Sequence, residues 1–466
     1  VQTPESSRPA PDETEVDVVV VGLGPGGEYA AQKLAEAGLD VVGVERSLVG
    51  GECPFYGCIP SKMMIRAADA LAEARRAVTL AGRVEVKPDW SLVAERIDRQ
   101  ATNHWDDHSH VERLEAAGVH IVRGHGRLTG AGRVAVELDA GESRFTARRG
   151  VLVNPGTAPA VPPIDGLAGT PYWTNRELAR LTELPESLVV LGGGPIGAEL
   201  AQALARFGVR VSVVEMAERI LGPAEPEASA VLTEVFEREG IEVLAGADVQ
   251  RVDHDGGFAV RLADRTLRAD ALLVAAGRTP QLRGLGLESV GLDPDDGRLA
   301  TDDRMRAGDR LWAVGDATGH GAFTHVSMYQ AAVAVRDLLG EEGPAADYRA
   351  LSWVTFTDPE VAAVGLTERQ ARDAGLAVVT GHAQLPESSR GWIHQAGNDG
   401  LVKLVADADR AVLVGGTVVG PAAGEIIGLI ATAVHAELPI ATLRSMHFAY
   451  PTFHRAIEAA LADLGL

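Results

Sequence analysis

One pattern occurs twice in this chain and restricts its fold more than any other feature. Residues 16–21 are a nearly all-apolar, β-branched run, as expected of a strand buried on both faces. Gly22-Leu23-Gly24-Pro25-Gly26-Gly27 follows at once, then a helical stretch over 28–37 closed by Gly38, then an apolar run ending in Glu45. The same parts return from residue 187: an apolar run, Gly192-Gly193-Gly194-Pro195-Ile196-Gly197, a helical stretch over 198–207 ended by Gly208, and a strand-like run ending in Glu215. Strand, glycine loop, helix, strand and acid together make a βαβ unit with a dinucleotide fingerprint. Gly22 and Gly192 permit the tight turn, Gly24 and Gly194 let a pyrophosphate approach the backbone, and Gly27 and Gly197 let helix and strand pack closely. The helix N-terminus then faces the phosphates. The chain is therefore read as α/β, with two Rossmann-like, three-layer dinucleotide-binding domains. Glu45 and Glu215 stand where ribose hydroxyls are held. Glu215 would repel the extra phosphate of NADPH, so NADH is expected, with NADPH as the alternative because Arg219 lies nearby.

The only two cysteines share one segment, Gly50-Gly51-Glu52-Cys53-Pro54-Phe55-Tyr56-Gly57-Cys58-Ile59-Pro60-Ser61-Lys62. Pro60 suits the first turn of a helix, which puts Cys58 at a helix N-terminus, where the dipole favours a thiolate. Thiols five residues apart can close into a disulfide and be reopened by two electrons. No second Cys pair or paired His completes a zinc tetrahedron, and no metal is expected. His104 and His108, near His110, are four apart; on a helix they would share a face and could hold a divalent ion, although a polar helix end is the plainer reading.

The 43 basic and 65 acidic residues give a net charge of −22, which argues against nucleic acid and anionic lipid as partners. No apolar run approaches the roughly 20 residues of a membrane helix. Residues 1–15, rich in Pro, Ser, Glu and Thr, lack the form of a secretory signal and read as a disordered tail. Two cysteines are too few for a secreted disulfide scaffold, so a cytoplasmic setting is expected.

Four further segments complete a resemblance. Asn154-Pro155-Gly156-Thr157 is similar to an Ala-Thr-Gly segment, with Asn and Pro departing from it, and Ala276-Gly277-Arg278-Thr279-Pro280 to Gly-Arg-x-Pro. Val314-Gly315-Asp316 is similar to a second FAD motif, and Phe356-Thr357-Asp358-Pro359-Glu360-Val361-Ala362-Ala363-Val364-Gly365 to the opening of a dimerisation domain. The chain resembles the pyridine nucleotide–disulfide oxidoreductases, the family of lipoamide dehydrogenase, glutathione reductase, mycothione reductase and mercuric reductase. The resemblance implies FAD at Gly22, Gly24, Gly26, Gly27, Glu45, Gly51, Gly156 and Asp316, whose carboxylate would hold the ribityl chain. It implies NAD(P)H at Gly192, Gly194, Gly197, Glu215 and Gly277. It divides the chain into an FAD domain in two parts (16–155 and 286–346), an NAD(P)H domain (156–285) and an α+β dimerisation domain (347–466) that makes a homodimer. Cys58 would form the charge-transfer thiolate beside the flavin, Cys53 would exchange with substrate, and Lys62 would lie by the flavin N5, paired with Glu199. Lys62 is one of only four lysines, against 39 arginines.

Two segments depart from the family. Tyr450-Pro451-Thr452-Phe453-His454-Arg455 replaces a His-Pro-Thr segment, with Tyr450 at the His position and Arg455 at that of its orienting Glu. Histidine titrates near ~6.5 and tyrosine near ~10, so Tyr450 can donate a proton but is a poor base. His454, one helical turn on, could substitute, oriented by Glu458 a further turn along. Pro54-Phe55-Tyr56 replaces a smaller Leu-Asn pattern, giving an aromatic pair that either stacks on a planar substrate or packs in the core. The chain ends without the cysteine pair of mercuric reductases, which disfavours mercury as substrate. The expected reaction carries electrons from NAD(P)H through FAD and the Cys pair to a small acceptor, first a disulfide. The alternatives are a quinone or metal-ion reductase with Tyr450 as proton donor, or a redox-sensing flavin-binding protein.

Overall fold

The computed structural model describes residues 13–139 and 141–466. They form two compact units, one of residues 13–55, 102–158 and 278–347, the other of Tyr56–Ala101, Pro159–Gly277 and Tyr348–Leu466.

The first unit is built on a sheet whose central strand is Glu13–Val21, with Val41–Glu45 and Gly141–Val153 parallel on either side and Val119–Arg123 beyond. Side chains alternate across a strand, and here both faces are covered. Val18 and Val20 pack with Ala30, Ala31 and Leu34 of the helix Pro25–Glu36 and with Ala331 and Ala334 of the helix Thr324–Leu339. Val19 and Val21 pack instead against Leu128, Val134 and Val136 of the antiparallel strands His125–Gly130 and Arg133–Leu138. Helices, sheet and antiparallel strands make three layers. The central strand begins earlier than expected. Glu13, Thr14 and Glu15 pair with Arg144, Phe145 and Thr146, so these three residues belong to the sheet and not to a tail. Their charges face arginines, Arg133 for Glu13 and Arg148 for Glu15. The rest of the expected tail lies outside the described residues.

The second unit repeats the plan. Its parallel sheet runs Glu242–Ala245, Arg210–Glu215, Ser187–Leu191, Ala271–Val274, the same order of parts as the first. A three-stranded antiparallel sheet packs beside it, with Val252, Phe258 and Val260 against Val189 and Leu191. The helix Cys58–Leu80 lies along the helix Pro195–Arg206 in this unit, joined by Arg206 to Asp69 (2.8 Å) and by Arg75 to the Arg206 carbonyl (2.7 Å). A five-stranded antiparallel sheet, from Ser352–Thr355 to Val378–Gln384, carries the helices Ala423–His435 and His454–Asp463 on its core. Lys403 is 2% exposed and holds Glu225, Glu227 and Glu368 within 3.1 Å, tying this sheet to the start of the helix Pro226–Arg238. Among the described residues no helix is long and apolar enough to cross a membrane.

Candidate functional site

The two glycine loops have one geometry. Each helix starts inside its motif, at Pro25 and Pro195, three residues before the periodicity suggested, because proline at the first helical position is already set for the turn. The capping residues Gly24 and Gly194 share φ −72° and ψ −177°. Gly22 has φ +91°, and a Cβ on Gly27 would stand 1.9 Å from the Gly22 carbonyl oxygen; Gly192 and Gly197 repeat both features, with φ +108° and 1.9 Å. Side chains at these positions are excluded by the backbone itself. The loops differ in surroundings. A Cβ on Gly24 would meet the Asn154 amide at 3.3 Å, and one on Gly51 would meet the Gly24 Cα at 2.8 Å, whereas one on Gly194 meets nothing within 4 Å.

The acids at the strand ends are also alike. Glu45 accepts from the backbone N–H groups of Leu23 (2.8 Å) and Ser47 (2.7 Å); Glu215 accepts from those of Gly193 and Ala217, both at 2.7 Å. An ionised carboxylate has about four lone-pair sites, so each retains capacity for a ribose hydroxyl. Arg219 donates to the carbonyls of Gly222 (2.7 Å) and Ala224 (2.9 Å), binding its own turn.

Around Asp316 and Gly156 lie Thr157, Arg278 and Asn154, from the segments quoted above, and Gln330, which no motif singled out. Thr157 Oγ1 donates to Asp316 (2.8 Å) and accepts from Arg278 Nε (2.7 Å). Gly156, at φ +66°, has open space at its Cβ position. Gln330, fully buried, accepts from the Gly315 N–H (2.7 Å) and donates to Thr318 (2.9 Å). Asn154, 7% exposed, donates to the Val314 carbonyl (3.1 Å) and accepts from the Gly27 N–H (3.0 Å). A turn clear of side chains, a helix N-terminus and acids at the strand ends fit a dinucleotide on each unit. Gly22, Gly24, Gly26, Gly27, Glu45, Gly51, Gly156 and Asp316 lie together on the first, and Gly192, Gly194, Gly197, Glu215 and Gly277 on the second.

Cys58 is the first residue of the helix Cys58–Leu80, with Gly57 as its cap, and Cys53 lies in the short helical turn Glu52–Phe55; both are half-buried. One turn beyond Cys58, Lys62 Nζ reaches Glu199 at 2.7 Å, with side chains 35% and 6% exposed. The other Glu199 oxygen accepts from the Phe356 N–H at 2.9 Å, and the Phe356 ring lies 4.7 Å from Lys62 Nζ. Successive turns of the helix Pro195–Arg206, which carries Glu199, continue this seam. Gln202 exchanges hydrogen bonds with the Asp358 backbone (2.7 and 2.8 Å), and Arg206, 3% exposed, binds Asp69, Glu239 and the Asp358 carboxylate. Burial outweighs Arg206 at Asp69 and pushes its carboxyl up to about 6.

Several of the alternative groupings raised by spacing do not form. Phe55 is buried, 5.6 Å from the His110 ring, and His110 and Arg113 both bind Glu28 (2.9 and 2.6 Å), so Phe55 is core and only Tyr56 is half-buried. His104 sits at φ +60° in a turn and the helix begins at His108, whose partner is Glu112 (3.0 Å); the two histidines share no helical face. Among the described residues no three His, Cys, Asp or Glu side chains are placed to hold a metal. The C-terminal helix starts at His454, because Pro451 disfavours helical backbone at Tyr450. Tyr450 therefore stands outside that helix, 70% exposed, with the Arg455 guanidinium 5.6 Å from its ring. Glu458 pairs with Arg455 at 3.0 Å, not with His454.

This geometry has known counterparts. Residues 16–336 match the pattern of the family described as "Pyridine nucleotide-disulphide oxidoreductase", and residues 351–461 match its dimerisation domain. The dihydrolipoyl dehydrogenase of Chlorobaculum tepidum is 33% identical over 96% of this chain and 97% of its own length. The mercuric reductase of Acidithiobacillus ferrooxidans is 34% identical over 96% of this chain and 82% of its own. Among solved structures, LpdA from Mycobacterium tuberculosis superimposes with a TM-score of 0.85 at 29% identity, covering 96% of this chain and 99% of that one. A Cu(II) complex of RclA, the HOCl-induced flavoprotein disulfide reductase of Escherichia coli, gives 0.84 at 26% identity over 96% and 99%. The chain belongs to the pyridine nucleotide–disulphide oxidoreductases, FAD-dependent enzymes that use NAD(P)H.

Proposed function

We propose that this enzyme reduces a disulfide with NADH, through FAD and the Cys53/Cys58 pair. One observation carries the reading: Cys58 opens a 23-residue helix with Lys62 one turn on, held by the buried Glu199. A helix N-terminus and a nearby ammonium both favour a thiolate. FAD, when bound, supplies two-electron transfer between nicotinamide and disulfide. The chain's own residues do the rest. The Cys53 thiolate attacks one sulfur of the acceptor R–S–S–R, forming a mixed disulfide, and R–S⁻ leaves with the electron pair and takes a proton. The Cys58 thiolate then attacks Cys53, closing the Cys53/Cys58 disulfide and releasing the second R–S⁻. The sum is NADH + H⁺ + R–S–S–R → NAD⁺ + two R–SH. NADH is favoured over NADPH because Glu215 repels a ribose phosphate and Arg219 is turned onto Gly222 and Ala224. The match to the family's dimerisation domain supports a homodimer, and two cysteines in one redox segment suit the cytoplasm.

Tyr450 favours a second reading, reduction of a quinone or metal ion, since its phenol hydroxyl is a proton donor where the family pattern has a histidine. The names of the mercuric reductase and the copper complex point the same way. The Cys53→Ser enzyme separates the two. It should lose disulfide reduction more than a hundredfold while keeping quinone reduction. Disulfide turnover at the original rate would overturn the first reading, and loss of both activities would overturn the second.

A further inference from the structure

The two glycine loops are braced by different residues. In the first, the Leu23 carbonyl accepts from the N–H of Gly50 at 2.8 Å; in the second, the equivalent Gly193 carbonyl accepts from the N–H of Leu221, also at 2.8 Å. Both bracing residues have positive φ, Gly50 at +106° and Leu221 at +48°. Glycine takes such a conformation freely, whereas a leucine there is strained and persists only where its surroundings hold it. Leu221 is buried, and its turn is fastened along its length. Ser229 Oγ donates to the Ile220 carbonyl (2.7 Å), Arg219 ties Gly222 and Ala224, and the Ala224 N–H donates to the Leu221 carbonyl (2.8 Å).

The turn ends at Glu225, which caps the helix Pro226–Arg238. Its buried carboxylate accepts from the Glu368 N–H at 2.6 Å and from Lys403 Nζ at 3.1 Å. Lys403, on the strand Leu401–Asp407, also holds Glu227 (2.8 Å) and Glu368 (2.9 Å). Lys403 and Glu368 both belong to the segment that matches the dimerisation domain. A buried ammonium among carboxylates is a poor source of stability, because desolvation offsets the attraction; its best-attested use is to fix one register among alternatives. The register fixed here is that of residues 220–224 against Gly193, whose N–H in turn donates to Glu215.

We propose that Lys403 is a positioning residue for the nicotinamide nucleotide: through Glu225 it holds the strained turn at Leu221 against the second glycine loop, so that the dimerisation domain shapes the NADH site. The inference rests on the reading of Gly192–Gly197 as the NADH loop. Lys403 acts through Glu225 and not by touching the nucleotide.

The test uses the FAD-loaded enzyme and ADP-ribose, which carries the pyrophosphate and ribose of NADH without its reducible ring, titrated by calorimetry. Lys403→Met leaves three carboxylates without their cation and should weaken ADP-ribose binding about tenfold. Glu225→Gln keeps the side-chain shape and an acceptor for the Glu368 N–H but loses the charge that draws Lys403, and should weaken it about threefold. The milder variant decides the matter if Lys403→Met does not fold. In both, KM for NADH should rise by the same factor while the rate at saturating NADH stays within about twofold. FAD should be retained, because the first loop has its own brace in Gly50. Unchanged ADP-ribose affinity in the folded variants would overturn the proposal. So would losses of FAD and of the saturating rate in step with the affinity, the mark of a merely structural cluster. Glu215→Ala checks the reading beneath it and should weaken ADP-ribose as well. If that variant binds as tightly as the unaltered enzyme, the second loop is not the nucleotide site, and this inference falls with that reading.

Discussion

Replacing Phe356 with leucine keeps the backbone N–H that Glu199 accepts at 2.9 Å and removes the ring 4.7 Å from Lys62 Nζ. An ammonium over an aromatic face gains about 0.5–1 kcal/mol when exposed and about 2 when desolvated. The Lys62 side chain is 35% exposed and its partner Glu199 6%, so about 1 kcal/mol is the reasonable size. If that energy fixes the ammonium where it acts, its loss slows the step about fivefold. Leucine also packs less well than phenylalanine, and that cost must be separated from the effect on Lys62. A double-mutant cycle with Lys62→Met does so, because the packing loss is common to both backgrounds. The assay is anaerobic stopped-flow reduction of the FAD-loaded enzyme by NADH over a range of NADH concentrations. Phe356→Leu should lower the limiting rate about fivefold without changing NADH affinity, and Phe356→Tyr should restore it. With methionine already at position 62, Phe356→Leu should add less than about twofold. An equal slowing in both backgrounds would refute the reasoning, and an unchanged rate in Lys62→Met alone would remove Lys62 from the step.

Three other substitutions probe the rest of the scaffold. Asn154→Ala orphans the Gly27 N–H and the Val314 carbonyl, each about 1–3 kcal/mol when buried; it should speed FAD loss on dialysis at least tenfold, and unchanged flavin retention would remove Asn154 from that role. Glu215→Ala should lower the NADH-to-NADPH ratio of kcat/KM at least tenfold while Arg219→Ala leaves the ratio within about twofold; a large shift from Arg219→Ala would show that its guanidinium reaches the nucleotide. Asp69 holds its proton more tightly when folded, with its carboxyl at about 6 against an ordinary 3.8. Its contribution to stability is therefore complete below about pH 4 and lost as pH rises through about 6. Asp69→Asn should flatten the fall in thermal midpoint across that window, and an identical pH slope in both proteins would refute the assignment.

The features legible in the sequence were those written in consecutive residues. The glycine loops, the acids Glu45 and Glu215, and the start of the Cys58 helix are set by turn sterics and strand length, which act over a few positions. The three-layer order was legible for the same reason, since apolar runs such as 187–191 declare burial on both faces. The pairing of Lys62 with Glu199 was anticipated only by resemblance. Contacts between remote segments left no local mark: Asn154 with Gly27, Gln330 with Gly315, and Tyr56 with Arg176 and Arg180 join positions far apart in the chain. Spacing misled where backbone conformation intervened. His104 and His108 have helical spacing but a left-handed turn separates them, and Pro451 keeps Tyr450 off the helix that begins at His454.

The two glycine loops, equal in backbone, are unequal in enclosure. Beside Gly24 stand the Asn154 amide and Gly51, while the position above Gly194 is open. Identical hydrogen-bonding surfaces confer similar attraction for a pyrophosphate, so the difference is expressed in escape. Chain beside Gly24 would hinder departure of a dinucleotide from the first loop, and the open position at Gly194 offers no such hindrance within its own unit. Residence time, set by dissociation more than by encounter, then distinguishes the two sites without any change of motif. One duplicated element would thereby suit a resident group in one place and an exchanging reactant in the other.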